Sequence, residues 1–275
     1  MCPYQTIYEI GSCLERTMIY FMKEFGVQLS VVIPVRNEGG AIRIVLPILE
    51  VVVSAPYEVL VVYDFLDDST IPIIKELQGR YPNIRLIHNT LGRGAANAIR
   101  VGVKEAVGKY ITLVAADEII PLLALADMVR LIEAGCDFVS VTRYAYGGRR
   151  YGGSRLQFLF SWVGNKAFQL LSGSVLTDCT TGFKMFRKTI FDTITMESQT
   201  VSWAVVFELA VKAQALGLNL GEVPAISIDR LYGGKSSFSF WNWLREYFVW
   251  FLWGIRELRC SKIRQKAVMR LSAKA

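Results

Sequence analysis

"LSVVIPVRNE", Leu29–Glu38, is the stretch that decides the fold. Leu29, Val31, Val32 and Ile33 make a nearly continuous apolar, β-branched run, and Pro34 closes it. A run of that length and composition predicts a strand buried on both faces, leading into a loop. The loop is as informative as the strand. It reads Pro34, Val35, Arg36, Asn37 and Glu38, not a GxGxxG turn, so a dinucleotide-binding domain is disfavoured.

Working outward, strands and helices alternate at short intervals. Gly39-Gly40 and the spacing of Ile42, Val45, Leu49 and Val52 predict a helix. "YEVLVVYD", Tyr57–Asp64, is a second buried strand that ends in an acid. Asp68, Ser69 and Thr70 can cap the next helix, with Pro72 in its first turn. "NIRLIHN", Asn83–Asn89, is a third strand, and "GRGAANAIRVGVKEA" is a helix entered through Gly92 and Gly94. "KYITLVAADE", Lys109–Glu118, is a fourth strand, and "AGCDFVSVTRYA", Ala134–Ala145, holds a fifth. This order predicts an α/β protein, a Rossmann-like, mostly parallel sheet with helices on both faces. Glu38, Asp64, Asn89, Gly94 and Asp117 all come just after strands, so they converge on one edge of that sheet.

The fourth strand ends in the acidic pair Asp117-Glu118, preceded by Ala115 and Ala116. Such a pair can hold a divalent cation against a phosphate, or merely cap the helix after Pro121. Beyond Ala145 the chain changes character. "YGGRRYGGSR" is a glycine-rich basic loop, and Leu156–Leu171 is an apolar helix. "TDCTTGFKMFRK" is next, then the helix "VVFELAVKAQALG", the strand "NLGEVPAISIDR" and a second loop, "LYGGKSSF".

Bulk properties narrow the function. The chain has 275 residues, 52% of them hydrophobic, enough for one α/β domain or two small ones. The net charge is +7, but Ile255–Ala275 carries seven Lys/Arg and one acid, a net of +6. The body is therefore nearly neutral, and a nucleic-acid-binding body is excluded as an expectation. Such a basic tail suits an anionic lipid surface or a solvated end. Five cysteines without metal-ligand spacing read as free thiols in a reducing compartment. The single histidine, His88, argues against a histidine zinc site or a Ser-His-Asp triad.

Two terminal segments stand apart. Residues 1–28 lack a signal peptide's basic start and apolar core, and their spacing suggests an added helix. Residues 236–275 begin with nine aromatics between Phe238 and Trp253, on a helix with an uncharged run of nine residues, Tyr247–Ile255. A spanning helix needs about 20. Trp241, Leu244, Phe248, Phe251, Leu252 and Ile255 fall on one wide face, which predicts an amphipathic helix lying at a membrane surface or building an interface.

"SVVIPVRNE", "YEVLVVYD", "LGRGAANAIRVGV", "GKYITLVAADE", "TDCTTGFKMFRK" and "GLNLGEVP…DRLYGGKSSF" occur in that order. Together they resemble family 2 glycosyltransferases of the GT-A fold, and within them the polyprenyl- and dolichyl-phosphate sugar synthases such as dolichyl-phosphate mannose synthase. The resemblance implies a catalytic domain over 29–235. It implies inverting transfer of a sugar from a GDP- or UDP-sugar to a polyprenyl or dolichyl phosphate. The site would lie on the cytoplasmic face of a membrane, held peripherally, with a membrane-protein partner or a homo-oligomer as a further implied association.

Residue by residue, the resemblance implies nucleotide binding by Pro34, Arg36, Glu38, Asp64, Gly94 and Asp117. It assigns catalysis to Asp117, Asp178, Arg230 and Lys235. It places Asp117, with Glu118, at Mg²⁺ or Mn²⁺, and Arg143, Lys184 and Glu208 on the acceptor-phosphate side. The family has Asp-x-Asp where this chain has Ala115-Ala116-Asp117, so metal affinity is expected to be lower and more substrate-dependent. Two other readings remain open here: transfer to a soluble sugar or protein acceptor, and a non-catalytic scaffold subunit.

Overall fold

A computed structural model of the chain describes residues 26–152, 155–194, 196–198, 203–228, 240–261, 263 and 267–271, with backbone alone for 155–157 and 240–246. The expected N-terminal helix, the "LYGGKSSF" loop with Arg230 and Lys235, and part of the basic tail lie outside the described residues.

The sheet matches the buried runs. β1 (Leu29–Val35), β2 (Tyr57–Tyr63), β3 (Ile84–His88), β4 (Tyr110–Leu113), β5 (Phe138–Thr142), β7 (Lys184–Arg187) and β8 (Leu220–Pro224) stand in the order β3-β2-β1-β4-β7-β5-β8. β6 (Arg149–Tyr151) and β9 (Ile226–Ile228) pair separately as a small two-stranded ribbon. Alternate side chains serve opposite faces, as strand geometry requires. Val31, Ile33, Val59, Val61, Val139 and Val141 pack with α1 (Gly39–Val52), α2 (Thr70–Leu77) and α4 (Leu125–Glu133). Val32, Leu60, Val62, Phe138 and Phe186 pack with α3 (Ala95–Glu105), α5 (Arg155–Ser172), α7 (Ala204–Ala215) and α8 (Phe240–Cys260). Helices thus cover both faces, and α6 (Lys188–Thr193) comes directly after β7.

The sheet is not all parallel. β7 runs antiparallel between β4 and β5, aligning Lys184 with Leu113 on one side and Ser140 on the other. This strand lies inside "TDCTTGFKMFRK", where the sequence suggested no strand. Its direction has a functional consequence: because β7 runs backwards, its first residue sits at the carboxyl ends of its neighbours. The Thr177–Gly182 segment before it is thereby delivered to the sheet edge where ligands bind.

The far edge carries a second surprise. Met269 bridges Gly221 in parallel, donating its N–H to Leu220 O at 2.8 Å and accepting from Glu222 N at 3.1 Å. Leu271 joins one core and Val268 the other, and the Arg270 guanidinium lies 3.7 Å from the Tyr146 ring centroid. Part of the basic tail, read from charge as lipid-seeking or solvated, docks on the open edge of β8 through the single bridge at Met269.

α3 approaches β1 and β2 closely through Gly102, where a Cβ would run into the Val32 and Val62 side chains. Gly102→Val is expected to destabilise the protein by about 1–3 kcal/mol through overpacking. Chemical denaturation would read this as a lower midpoint at unchanged slope.

Candidate active site

At the carboxyl ends of β1 and β2 the loops are stitched together. Asn37 takes φ 60°, a conformation Asn tolerates better than most residues. Its backbone N–H donates to both Asp68 carboxylate oxygens, at 3.1 and 3.0 Å, and its side-chain oxygen accepts from Ser69 N at 3.0 Å. Asp68 also accepts from Thr70 N at 2.8 Å, and Thr70 Oγ1 accepts from Glu38 N at 2.9 Å. Asp68 is the hub here, which fixes Arg36 and Glu38 at the edge.

Asp64 ends β2. It accepts from Asn89 Nδ2 at 2.7 Å and from Gly94 N at 2.8 Å. Asn89 in turn donates to Gly92 O at 2.7 Å and accepts from Leu91 N at 3.0 Å. The Gly92–Gly94 turn before α3 is therefore shaped by Asp64 and Asn89, and both glycines have positive φ (97° and 124°). Between these loops Phe65 stands under two cations, Arg93 at 4.3 Å and Arg36 at 5.6 Å from its centroid. Phe65 was not singled out from the sequence. The signal available was an aromatic residue immediately after a strand-end acid.

Asp117 and Glu118 occupy a turn closed by Glu118 N donating to Ala115 O at 3.1 Å. Their charges act in different directions. Burial raises the Glu38 carboxyl above its ordinary range, and the negative charges of Asp117 and Asp68 raise it further. Glu118 instead contributes to the stabilisation of the Arg143 cation. The pair is thus split between Glu38 and the buried arginine. Among the described residues no three His, Cys, Asp or Glu side chains are placed to hold a metal ion. One hard carboxylate, Asp117, with Glu38 close enough to repel it, fits a cation completed by substrate phosphates rather than a preformed cage.

The third group is buried. Asp178 is fully buried and Arg143 is 7% exposed. Arg143 Nε donates to Asp178 Oδ2 at 2.7 Å, and Nη2 donates to Oδ1 at 3.0 Å and to Thr180 Oγ1 at 2.9 Å. Burial opposes both charges, but each holds the other: Asp178 stays below the ordinary carboxylate range and Arg143 above its own. Asn165 of α5 donates to Thr180 Oγ1 and accepts from Cys179 N, both at 2.9 Å.

Three expected site residues are placed differently from the sequence reading. Lys184, expected at the acceptor phosphate, is wholly buried because antiparallel β7 turns it inward. Its Nζ donates to Ser140 Oγ at 2.7 Å and Asp178 O at 3.3 Å, and burial pushes its pKa down to about 8. Glu208, also expected there, is fully buried, accepts from Glu197 N and Ser198 N at 2.7 and 2.8 Å, and pairs with Lys212 at 2.7 Å. It is spent on holding the chain ahead of α7. Asp178, expected near the sugar, is fully buried and has both oxygens engaged by Arg143.

Beside this group lies an apolar cavity of about 220 Å³. Phe160, Val163 and Phe168 of α5, Phe207 of α7, and Tyr247, Phe248 and Phe251 of α8 line it, and Asn165 and Thr180 form its polar end. The predicted wide apolar face of α8 is divided. Phe251 and Ile255 pack inward, with Phe251 5.5 Å from Phe168, while Phe248 and Leu252 are 60% and 52% exposed.

Comparison with known proteins gives relatives in sequence and in fold. The dolichol-phosphate mannosyltransferase of Pyrococcus furiosus is 26% identical over 192 residues, which is 68% of this chain and 53% of that one. The chain thus spans about half the length of that relative. The undecaprenyl-phosphate mannosyltransferase of Micrococcus luteus is 25% identical over 213 residues, 74% of this chain and 84% of that one. In fold, the chain is similar to glucosyl-3-phosphoglycerate synthase of Mycobacterium tuberculosis, solved with Mn²⁺ and UDP-glucose. That likeness has a TM-score of 0.63 at 17% identity, over 87% of this chain and 83% of that one. Residues 30–195 match the family described as glycosyl transferase family 2. With a mostly parallel sheet and its polar loops gathered at the carboxyl edge, the chain belongs to glycosyl transferase family 2 and has the GT-A fold.

Proposed function

We propose that the protein transfers a sugar, with inversion, from a nucleotide sugar to a polyprenyl phosphate. One observation carries this reading: the apolar cavity between α5 and α8 ends at Thr180, which is hydrogen-bonded to Arg143. An isoprenoid tail suits the phenylalanine lining, and its phosphate suits the arginine. The described bonds of Arg143 use Nε and Nη2, which leaves Nη1 for an acceptor anion. The names of two relatives, both acting on lipid phosphates, support the same acceptor class.

In this reading the nucleotide lies over Phe65 between Arg36 and Arg93, near Pro34, Glu38 and Asp64, with its diphosphate at the N-terminus of α3 beside Gly94. An oxygen of the acceptor phosphate attacks the anomeric carbon, and the bond to the nucleoside diphosphate breaks with its electron pair leaving on that group. A phosphate monoester has a second pKa of about 6, so no protein base is required. That suits a site in which Asp178, beside Arg143, is fully buried and paired. Mg²⁺ or Mn²⁺ on Asp117 would supply charge neutralisation for the departing diphosphate. Arg230 and Lys235 are proposed to reach the same diphosphate.

The protein is further proposed to work at a membrane surface. Among the described residues no helix is long and apolar enough to cross a membrane. Phe158, Leu159, Phe160 and Trp162 of α5 and Phe248 and Leu252 of α8 are nevertheless exposed, apolar side chains that a membrane surface could receive. Arg256 and Arg259 come next on α8. The double change Phe248→Asp with Leu252→Asp is expected to abolish flotation with phosphatidylglycerol vesicles, while flotation equal to the unaltered protein would remove the membrane assignment.

The deciding experiment offers GDP-mannose, UDP-glucose or UDP-N-acetylglucosamine with undecaprenyl phosphate in detergent. Label entering the organic phase establishes the acceptor class and names the donor. Nucleotide binding without lipid product moves the reading to a soluble phosphorylated acceptor, which the same arginine would recognise. Failure to bind any nucleotide leaves a scaffold role.

A further inference from the structure

The "GLNLGEVP" motif contains one acid, Glu222, that the proposed transfer does not use. It sits on β8, where the parallel register sets it beside Ser140 of β5, itself beside Lys184 of β7. This row crosses the sheet face that otherwise carries Phe138, Phe186 and Leu220. Three polar groups side by side in an apolar layer are costly unless each is satisfied. Glu222 is 1% exposed and is satisfied by one segment only. Its Oε1 accepts from Thr177 N at 2.6 Å, Thr177 Oγ1 at 3.0 Å and Asp178 N at 3.4 Å, and Oε2 accepts from Thr177 Oγ1 at 3.2 Å. Thr177 Oγ1 lies 2.6 Å from Thr142 Oγ1, at the end of the strand that leads into Arg143.

We propose that Glu222 is a positioning residue for the acceptor end of the cleft: it fixes the backbone of Thr177 and Asp178, and through Asp178 it sets the direction of the Arg143 guanidinium. The contacts run in an unbroken chain from β8 to Thr177, Asp178, Arg143 and Thr180 at the cavity mouth. Nothing on the nucleotide side takes part. Asp64, Asn89, Asp68 and Asn37 make their own network around β1 and β2. Removing Glu222 also leaves the segment its other tethers. Gln214 accepts from Ser174 Oγ and Val175 N, both at 2.9 Å, and Asn165 accepts from Cys179 N. The loop would stay attached but lose its register at Asp178. The link to the acceptor rests on the reading of Arg143 as the phosphate anchor, whereas the link to the loop does not.

Two measurements separate these. In Glu222→Ala, amide exchange of the 173–183 peptide should accelerate about tenfold or more, because backbone bonds to a buried carboxylate are lost. The KM for undecaprenyl phosphate should rise by about tenfold or more, with the dissociation constant of the nucleoside diphosphate within about twofold. Glu222→Gln keeps an oxygen for Thr177 N and should recover most of both effects. Unchanged exchange in Glu222→Ala overturns the positioning role. So does an equal loss of nucleotide and acceptor affinity, which would mark general destabilisation. Faster exchange with an unchanged acceptor KM overturns the connection to Arg143. If the unaltered protein transfers nothing to undecaprenyl phosphate, the lipid reading falls, and the exchange result alone decides the role of Glu222.

Discussion

Arg143→Ala is expected to cost both activity and stability. The substitution leaves Asp178, fully buried, without its cation. Breaking a buried ion pair from one side typically costs about 3–5 kcal/mol, which for a domain of this size lowers Tm by roughly 10 °C. The sign of the pH dependence gives a second check. Burial opposes ionisation of Asp178, but Arg143 and, more weakly, Lys184 hold its folded pKa below the ordinary value. Its stabilising contribution is therefore present above the unfolded carboxylate pKa, about 3.9, and is lost as pH falls through the folded one. In the variant the unpaired carboxyl gains by protonation, so the Tm gap between the two proteins should narrow on acidification. A gap that stays constant from neutral pH toward about pH 4 would mean that Asp178 is not the group left behind. Lipid transfer should fall about a hundredfold or more if Arg143 is the proposed charged anchor for the acceptor. Arg143→Lys should restore part of the stability and little of the transfer, because an ammonium cannot reproduce the fork that meets Asp178 and Thr180 together.

The sequence made the scaffold of this site visible and left its interior hidden, for reasons that can be traced residue by residue. Buried parallel strands such as "SVVIP" and "VLVVY" announce themselves, because both faces must be apolar. Strand-end residues such as Asp64 and Asp117 could then be placed on one edge by topology alone. "KMFR" gives no such signal: it is four residues long and begins and ends with a cation. It forms a strand because Met185 and Phe186 enter the two cores and Lys184 finds Ser140 and the Asp178 carbonyl within the sheet. Without that strand, Lys184 reads as a surface cation, and Asp178 reads as a free acid near the substrate. The bond between Glu222 and Thr177 joins residues 45 apart in sequence, and no local pattern encodes it. The tail shows the same limit. Its charge pointed outward, while Val268 and Leu271 pack against the two cores and Met269 bonds to the open side of β8, contacts that no local charge pattern encodes.

Asp117→Ala is expected to lower kcat for transfer by about 10²–10³, the scale on which one electrostatic stabiliser of a developing charge is felt. The turn that presents it is held by its backbone, Glu118 N to Ala115 O, so truncating an exposed side chain there should change stability by no more than about 0.5 kcal/mol. Loss of activity without loss of fold is thus the expected pairing, the opposite of Arg143→Ala. A chelator distinguishes the causes. If Asp117 acts by holding a divalent cation, the unaltered enzyme should lose activity on chelation by about the same factor as the variant, and the variant should barely respond. The neighbourhood is compatible with a cation: Glu38 is raised chiefly by burial and then by Asp117 and Asp68, and a bound cation would relieve that smaller repulsion. If Asp117 holds a metal, Ala115 would make the site depend on oxygens from the substrate, because Asp117 has no second acid two residues earlier to share it. Half-saturation by Mn²⁺ should therefore shift to lower metal concentration as nucleotide sugar is raised. A metal affinity independent of the nucleotide would show that the chain completes the coordination by itself, with acids other than Asp117 taking part.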